Sequence, residues 1–300
     1  MVFIAWAPEY QHPLPEGHRF PMEKYALIPE QLLFEGSITK EQLFRPEPLT
    51  NDDVLRVHDR SYWEALRTLT LPERAMRKTG FPLSKALVDR EILIAGGTWK
   101  AATLALEHGV ALNVAGGTHH AFRDRGEGFC LLNDIALATE LLLFNKLAKK
   151  VLVVDLDVHQ GNGTAALFGG RSDVFTFSMH GKKNYPHHKE KSHLDIELED
   201  GTGDNAYLGI LGEVLPGLIA QEQPDFLFFQ SGVDVLAGDK LGRLGLSMQG
   251  CKQRDQMVME LAAKHQIPLV AVMGGGYSPR VADVVEAHAN TFRSACHIWS

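Results

Sequence analysis

Along this chain, short continuous apolar runs alternate with longer stretches in which apolar residues return every three or four positions. The runs at 110–114, 151–157, 174–178, 226–230 and 268–273 stay apolar until their last residues, the pattern of strands buried on both faces. Between them, 131–147, 164–168, 204–220, 247–265 and 279–295 have helical spacing. Strands and helices in strict alternation specify an α/β fold, a parallel sheet flanked by helices on both faces. The N-terminal third is less regular. MVFIAWAPEY reads as a first strand, QHPLPEGHRFPM as a proline-rich loop holding His12 and His18, and 22–34 as a short amphipathic helix opened by Pro21. Thr50 with Asp53 forms a capping signal, and Asp59 offers a second helix start before Tyr62, Trp63 and Leu66. Residues 71–81 read as a polar, irregular surface loop, and 84–108 as a long helix ending at Gly109, with Gly96 and Gly97 expected to weaken or kink it.

Three hundred residues, 45% of them hydrophobic, can bury a large core, and no linker, repeat or low-complexity tract divides them, so residues 1–300 read as one domain. A net charge of -7 and a pI near 6.0 argue against general affinity for nucleic acid or anionic membrane, and point to partners that are small or neutral to basic. Cys130, Cys251 and Cys296 are too scattered for a disulfide framework and read as the reduced thiols of a cytoplasmic protein. The N-terminus is apolar for only a few residues and lacks a basic flank, so neither a signal peptide nor a membrane span is expected.

In parallel sheets, ligands bind at the carboxyl ends of the strands, and polar residues gather at five such ends here. They are Gly116-Gly117-Thr118-His119-His120, then Asp155, Asp157 and His159, then Ser178 and His180, then Gly232 and Asp234, then Gly274 to Tyr277. The stretch VLVVDLDVHQGNGT is the most demanding of them. Its two aspartates and histidine stand at alternate positions of a strand end and would share one face, at a cost unless a cation neutralises them. Nitrogen and carboxylate ligands suit zinc or iron. Asp234, otherwise a helix cap or loop carboxylate, could complete a site with Asp157 and His159, leaving Asp155 to orient His119 or His120. The adjacent histidines form a candidate acid/base couple, and Tyr277 a candidate donor to an oxyanion. Gly161-Asn162-Gly163 lacks the lysine and spacing of a phosphate loop. His187, His188 and His193 lie in a lysine-rich loop and are expected to be solvated, whereas Cys130 and Phe129 are expected to line a wall.

The stretches GGTHHAFRDRGEGFCLLNDIALA, VDLDVHQGNGT, EDGTGD, SGVDVLAGDKLGRLGLS and GGGYSPR, in this order, resemble the zinc-dependent histone deacetylases, most closely the class IV branch and its bacterial relatives. HPLPEGHRFPMEKY supports the resemblance, which covers most of the chain from Leu112 onward. It implies one zinc ion on Asp157, His159 and Asp234; Asp155 orienting His119; His120 as general base and later acid; and Tyr277 donating to the oxyanion. It also implies an acyl tunnel lined by Gly128, Phe129, Leu241 and Gly275, and a structural potassium ion near Asp155, Asp157, His159, Ser178 and Met179. Where class I enzymes place aspartate beside the second histidine, this chain has Asn162, as class II and IV relatives tend to.

The activity so implied is hydrolysis of an acylated lysine in a peptide or protein, or of a similar acylated amine, with the class IV resemblance favouring long acyl chains over acetyl. Acetylated polyamines and other small amides are alternative substrates. An arginase-type ureohydrolase would need further aspartates for a second metal, but Gln160 and Gly161 follow His159, and Val235 follows Asp234. An acyl-lysine-binding module without turnover would have no need of Tyr277 and both histidines.

Overall fold

The computed structural model describes residues 1–300. Its eight strands are β1 (Phe3–Ala5), β2 (Leu43–Phe44), β3 (Val110–Asn113), β4 (Val151–Asp155), β5 (Val174–Gly181), β6 (Leu194–Leu198), β7 (Phe226–Gln230) and β8 (Leu269–Val272). They form one sheet in the order β2-β1-β3-β8-β7-β4-β5-β6, with every neighbouring pair parallel. β3, β4, β7 and β8 are buried at every residue, which is why they read as unbroken apolar runs. Two groups of helices cover the sheet. One joins α1 (Lys24–Phe34), α8 (Asp204–Glu222), α9 (Met248–Lys264) and α10 (Val281–Ile298); the other joins α2 (Asn51–Val54), α3 (Arg60–Arg67), α5 (Lys85–His108), α6 (Asp134–Phe144) and α7 (Asn162–Phe168). The expected parallel α/β fold is the observed one.

Strand register sets the position of the functional edge. Asp155 pairs with Ser178 on one side and Gln230 on the other, Gln230 pairs with Val272, and Val272 with Asn113. The ends of β3, β8, β7 and β4 therefore lie in one row with Ser178 of β5, and the loops leaving that row carry the polar residues named above.

Several local expectations are corrected. Residues 71–81 contain a helix, α4 (Glu73–Thr79), whose signals were present: Pro72 before it, Glu73 in its first turn, Arg77 and Lys78 in its last, and left-handed Gly80 after it. It looked irregular because most of its side chains face water. β6 was missed because LDIEL is a half-buried edge strand with charged residues at alternate positions, and β2 because it is only two residues long. α6 starts at Asp134 rather than Leu131, because the Asn133 side chain accepts from Ala136 N–H and caps it. β4 ends at Asp155, not Asp157, and β5 runs on to Gly181.

The glycine pair neither breaks nor interrupts α5. A Cβ on Gly96 would stand 1.9 Å from the Glu47 carbonyl oxygen, and one on Gly97 2.2 Å from the Tyr10 hydroxyl. These glycines let neighbouring chain approach the helix, at the cost of lower helix propensity. Gly96→Ala is expected to destabilise the protein by about 1–3 kcal/mol through overpacking against backbone. Gly209→Ala, on an exposed face of α8 with nothing near its Cβ, should stabilise it by about 0.5–1 kcal/mol. Denaturant titration of both variants checks the pair; a neutral Gly96→Ala would contradict the packing argument.

Candidate active site and metal centre

Beyond β4 the chain turns back on itself, and the turn is held by its own carboxylates. Asp157 N–H donates to Asp155 Oδ1 at 3.2 Å, and His159 N–H to Asp157 Oδ1 at 2.9 Å. The three side chains consequently do not share a strand face, as alternation had suggested. Asp155 turns toward His119, while Asp157 and His159 meet Asp234 from the loop after β7. His159 Nδ1 lies 3.0 Å from Asp157 Oδ1 and 3.1 Å from Asp234 Oδ2, and one potential ligand atom from each residue lies within 4.8 Å of the other two. All three residues are buried.

This donor set fits a divalent cation. Gly275 N–H donates to Asp157 Oδ2 at 2.8 Å and Val158 N–H to Asp234 Oδ1 at 3.0 Å, so with His159 N–H the backbone holds both oxygens of Asp157 and one of Asp234. Asp234 Oδ2 is buried without a hydrogen-bond partner. Desolvation, then the neighbouring Asp157 charge, raises the proton affinity of Asp234. His159 is raised too: against desolvation, its hydrogen bond to Asp157 and the nearby charges of Asp234 and Asp157 favour the imidazolium. Two buried carboxylates thus compete for one imidazole, a charge imbalance that a dication removes. Gly275 has to be glycine, since a Cβ there would lie 1.7 Å from Asp234 Oδ2.

The two adjacent histidines have different environments. His119 Nδ1 donates to Asp155 Oδ2 at 2.8 Å, and although desolvation opposes it, the Asp155 and Asp157 charges raise its pKa. His120 Nδ1 lies 2.6 Å from Asn162 Oδ1, an atom that also accepts from Gly163 N–H at 3.1 Å. An amide oxygen can only accept, so Nδ1 carries the proton and Nε2 is the basic nitrogen. Desolvation, then the His119 and His159 charges, pushes the His120 pKa well down and favours its neutral form. Deeper contacts place the pair: Gln230 Nε2 donates to Gly117 O at 2.8 Å, and Asp134 accepts from both Thr118 N–H (2.9 Å) and Thr118 Oγ (2.7 Å).

Both histidines open into a cavity of about 340 Å³ that also reaches Asp157, His159, Gly128, Phe129, Leu241, Gly275 and Tyr277. Burial, then Asp234 and Asp157, raises the Tyr277 phenol and keeps it protonated. The collar of the cavity is aromatic: the Phe129 ring lies 5.1 Å from Phe20, 5.2 Å from Phe81 and 5.9 Å from Tyr277. Phe129 holds a left-handed backbone (φ 66), uncommon for so bulky a residue, with its N–H on Thr79 O at 2.7 Å. The unexpected helix α4 is therefore the brace behind the collar.

Comparison with known proteins agrees with this geometry. The family profile described as Histone deacetylase domain matches residues 18–292. The chain belongs to the histone deacetylase family. An uncharacterized protein of Picosynechococcus is 42% identical over 99% of this chain and 99% of its own length. Histone deacetylase 2 of Arabidopsis thaliana is 32% identical, covering 89% of this chain and 72% of the relative; Histone deacetylase clr6 of Schizosaccharomyces pombe is 32% identical, covering 90% and 69%. The crystal structure of an HDA15 HD domain superposes with a TM-score of 0.83 at 21% identity, over 99% of this chain and 88% of that one, a likeness of fold. Family and fold are those of a deacetylase hydrolase.

Within this histone deacetylase framework, the structure brings together every residue singled out for the metal centre, the histidine pair and the tunnel. Ser178 and Met179 lie on β5 beside the end of β4, next to the turn that carries Asp157 and His159. His180 does not join the cavity; it is buried in β5 with Nδ1 2.9 Å from Ser178 Oγ. His193 is not solvated as expected: its ring bridges Thr176 and the Arg171 carbonyl, while His187 and His188 are exposed. Cys130 is buried on the cavity wall and desolvation raises its thiol, which suits a wall rather than a nucleophile.

Three participants escaped the reading of the sequence. Asp239 accepts from Tyr277 N–H at 2.6 Å, Leu241 N–H at 2.8 Å and Gly242 N–H at 2.9 Å, tying the phenol to the tunnel wall. Lys24, fully buried, donates to Gly274 O at 3.0 Å and is pulled down to about 8 by desolvation. Tyr185 sets its ring edge-on to His120 at 5.0 Å and donates to Glu127 Oε2 at 2.7 Å. Asp239 shares a motif with Asp234 and was the one legible from the sequence, as a second carboxylate in a glycine-rich loop. Asp239→Ala strands three backbone donors. It should cost on the order of 3 kcal/mol and speed amide exchange at Leu241, Gly242 and Tyr277 before it does so elsewhere. Unchanged exchange at these amides would contradict the assignment.

Proposed function

We propose that this protein is a zinc-dependent deacylase that hydrolyses the amide of an acylated lysine or a similar acylated amine. The observation that carries the reading is the buried Asp157, His159 and Asp234 cluster, with its unpartnered carboxylate oxygen, whose Asp157 and His159 line one cavity with His120 and Tyr277. It is the one group of three or more ligating side chains in the chain, which supports a single ion and speaks against a two-metal ureohydrolase. Nitrogen and carboxylate ligands suit zinc, with iron the alternative occupant. When bound, the ion supplies Lewis acidity to the acyl carbonyl and to the attacking water.

The remaining steps fall to the chain's own side chains. His120 Nε2 takes the proton of the water and returns it to the leaving amine. His119, held by Asp155, stays the more readily protonated of the pair and stabilises developing negative charge. Tyr277 donates to the oxygen of the tetrahedral intermediate. Gly128, Phe129, Leu241 and Gly275 enclose the acyl-lysine stem, with Gly128 packed so closely that a Cβ would lie 2.6 Å from the His120 ring. A structural potassium ion is placed by the same reading among the carbonyls of Asp155, Asp157 and His159 with Ser178 and Met179, a position supported by the pairing of Asp155 with Ser178.

The acyl preference turns on the inner wall. Buried Arg90, ion-paired with Glu91 but with Nη2 lacking a partner, lines the cavity with Tyr25 and Ile94, and a polar inner wall suits acetyl and other short groups better than the fatty chains the class IV resemblance favours. Hydrolysis of acetyl-, octanoyl- and myristoyl-lysine peptides, with metal content measured before chelation and after restoring zinc, tests both the reaction and this order. Turnover that survives complete metal removal would overturn the reading. Tyr277→Phe should retain the metal and lose roughly two to three orders of magnitude in turnover; full turnover in that variant would remove the phenol from the mechanism. Asn162→Asp places a carboxylate on His120 Nδ1, raises its pKa and should move the acidic limb of the kcat/KM profile up by about one pH unit. An unmoved limb would show that another group sets it.

A further inference from the structure

The surroundings of the cavity mouth run against the charge of the molecule as a whole. The chain has 37 acidic and 30 basic side chains, yet the ionisable groups lining the outer cavity are Arg19, Lys78, Lys183, His187 and Arg243. The one carboxylate that lines any part of the cavity is Asp157, and it belongs to the metal cluster. These cations come from separate segments: the proline-rich N-terminal loop, the end of α4, the β5–β6 connection and the loop after β7. No single charge run explains their meeting.

Their partners do not neutralise them. Lys183 and Arg243 share one carboxylate, Asp200, at 3.6 and 3.3 Å. Lys78 reaches Glu127 at 3.5 Å, but Glu127 is already taken by Arg125 at 3.0 Å and by the Tyr185 hydroxyl at 2.7 Å. Arg19 forms no ion pair and lies with its guanidinium 5.0 Å from the centre of the Phe129 ring, on the collar itself. The side chains of Lys78, Lys183 and Arg243 are more than half exposed, free to swing toward a bound molecule. Net charge suggests partners that are small or neutral to basic; the basic side chains at the mouth favour a negatively charged partner there.

We propose that the substrate presents its acylated amine within an acidic stretch of peptide, whose carboxylates meet Arg19, Lys78, Lys183 and Arg243 while the acyl-lysine enters the tunnel. This rests on the deacylase reading and narrows its substrate class: lysine- and arginine-rich tails and acetylated polyamines are repelled at the rim. Each exposed ion pair is worth about threefold in affinity, so two to four of them give roughly ten- to a hundredfold discrimination.

The test uses the zinc-loaded protein and acetyl-lysine peptides identical except for flanks of glutamate, serine or lysine, with acetylated spermidine as a small cationic arm. The acidic peptide should exceed the basic one by ten- to a hundredfold in kcat/KM, through KM rather than kcat, with spermidine ranking beside the basic peptide. The gap should shrink as salt rises from about 50 to about 500 mM. In the triple variant Arg19→Glu, Lys183→Glu, Arg243→Glu the order of acidic and basic peptides should invert. Equal or basic-first kcat/KM in the parent protein would overturn the proposal. Fluorescence anisotropy of the labelled peptides provides an independent arm. Acidic-first binding without turnover would uphold the rim and refute the hydrolase; turnover with no charge order would do the reverse.

Discussion

Two carboxylates buried beside one imidazole set the terms for everything around them. Backbone N–H groups hold both oxygens of Asp157 and one of Asp234, and each carboxylate turns an oxygen to the His159 ring. Such an arrangement is costly to bury without a compensating cation, and the surrounding structure holds it in place. Arg254, paired with Asp255, donates to the carbonyls of Leu156 and Gly232, one in each of the two ligating loops. Glycine at position 275 leaves the room that a side chain would fill.

The parallel sheet explains why these groups can meet at all. Four strands in matched register end on one row beside Ser178 of β5, and each hands the chain to a loop that needs to travel only a few residues before it faces its neighbours. Rigid strand ends give the precision; the loops supply the chemistry. Asp155 illustrates the division, since as the last residue of β4 it both closes the following turn through Asp157 N–H and fixes the ring of His119.

Much of this was legible in the residues. The buried strands announced themselves as unbroken apolar runs, and polar ends on the same edge located the site before any fold was in view. What the pattern hid has physical causes. α4 is a surface helix, so it carries no apolar stripe strong enough to mark it, though its terminal signals were in place. Alternation placed Asp155, Asp157 and His159 on one strand face, whereas side-chain hydrogen bonds to the backbone curl the segment into a turn that separates Asp155 from the other two. Lys24 and Tyr185 act through contacts with residues distant in the chain, and no local pattern marks those. Net charge hides detail in the same way: it averages over a surface, and the cavity mouth is a small part of it lined by basic side chains.

The proposed chemistry requires one divalent cation at the Asp157, His159 and Asp234 cluster. Diffraction from crystals of the zinc-loaded protein, recorded on both sides of the zinc absorption edge, tests it most directly. One anomalous peak is expected, about 2.0–2.2 Å from a ligand atom of each of the three residues. No peak at the cluster, or two ions sharing its carboxylates, would contradict it.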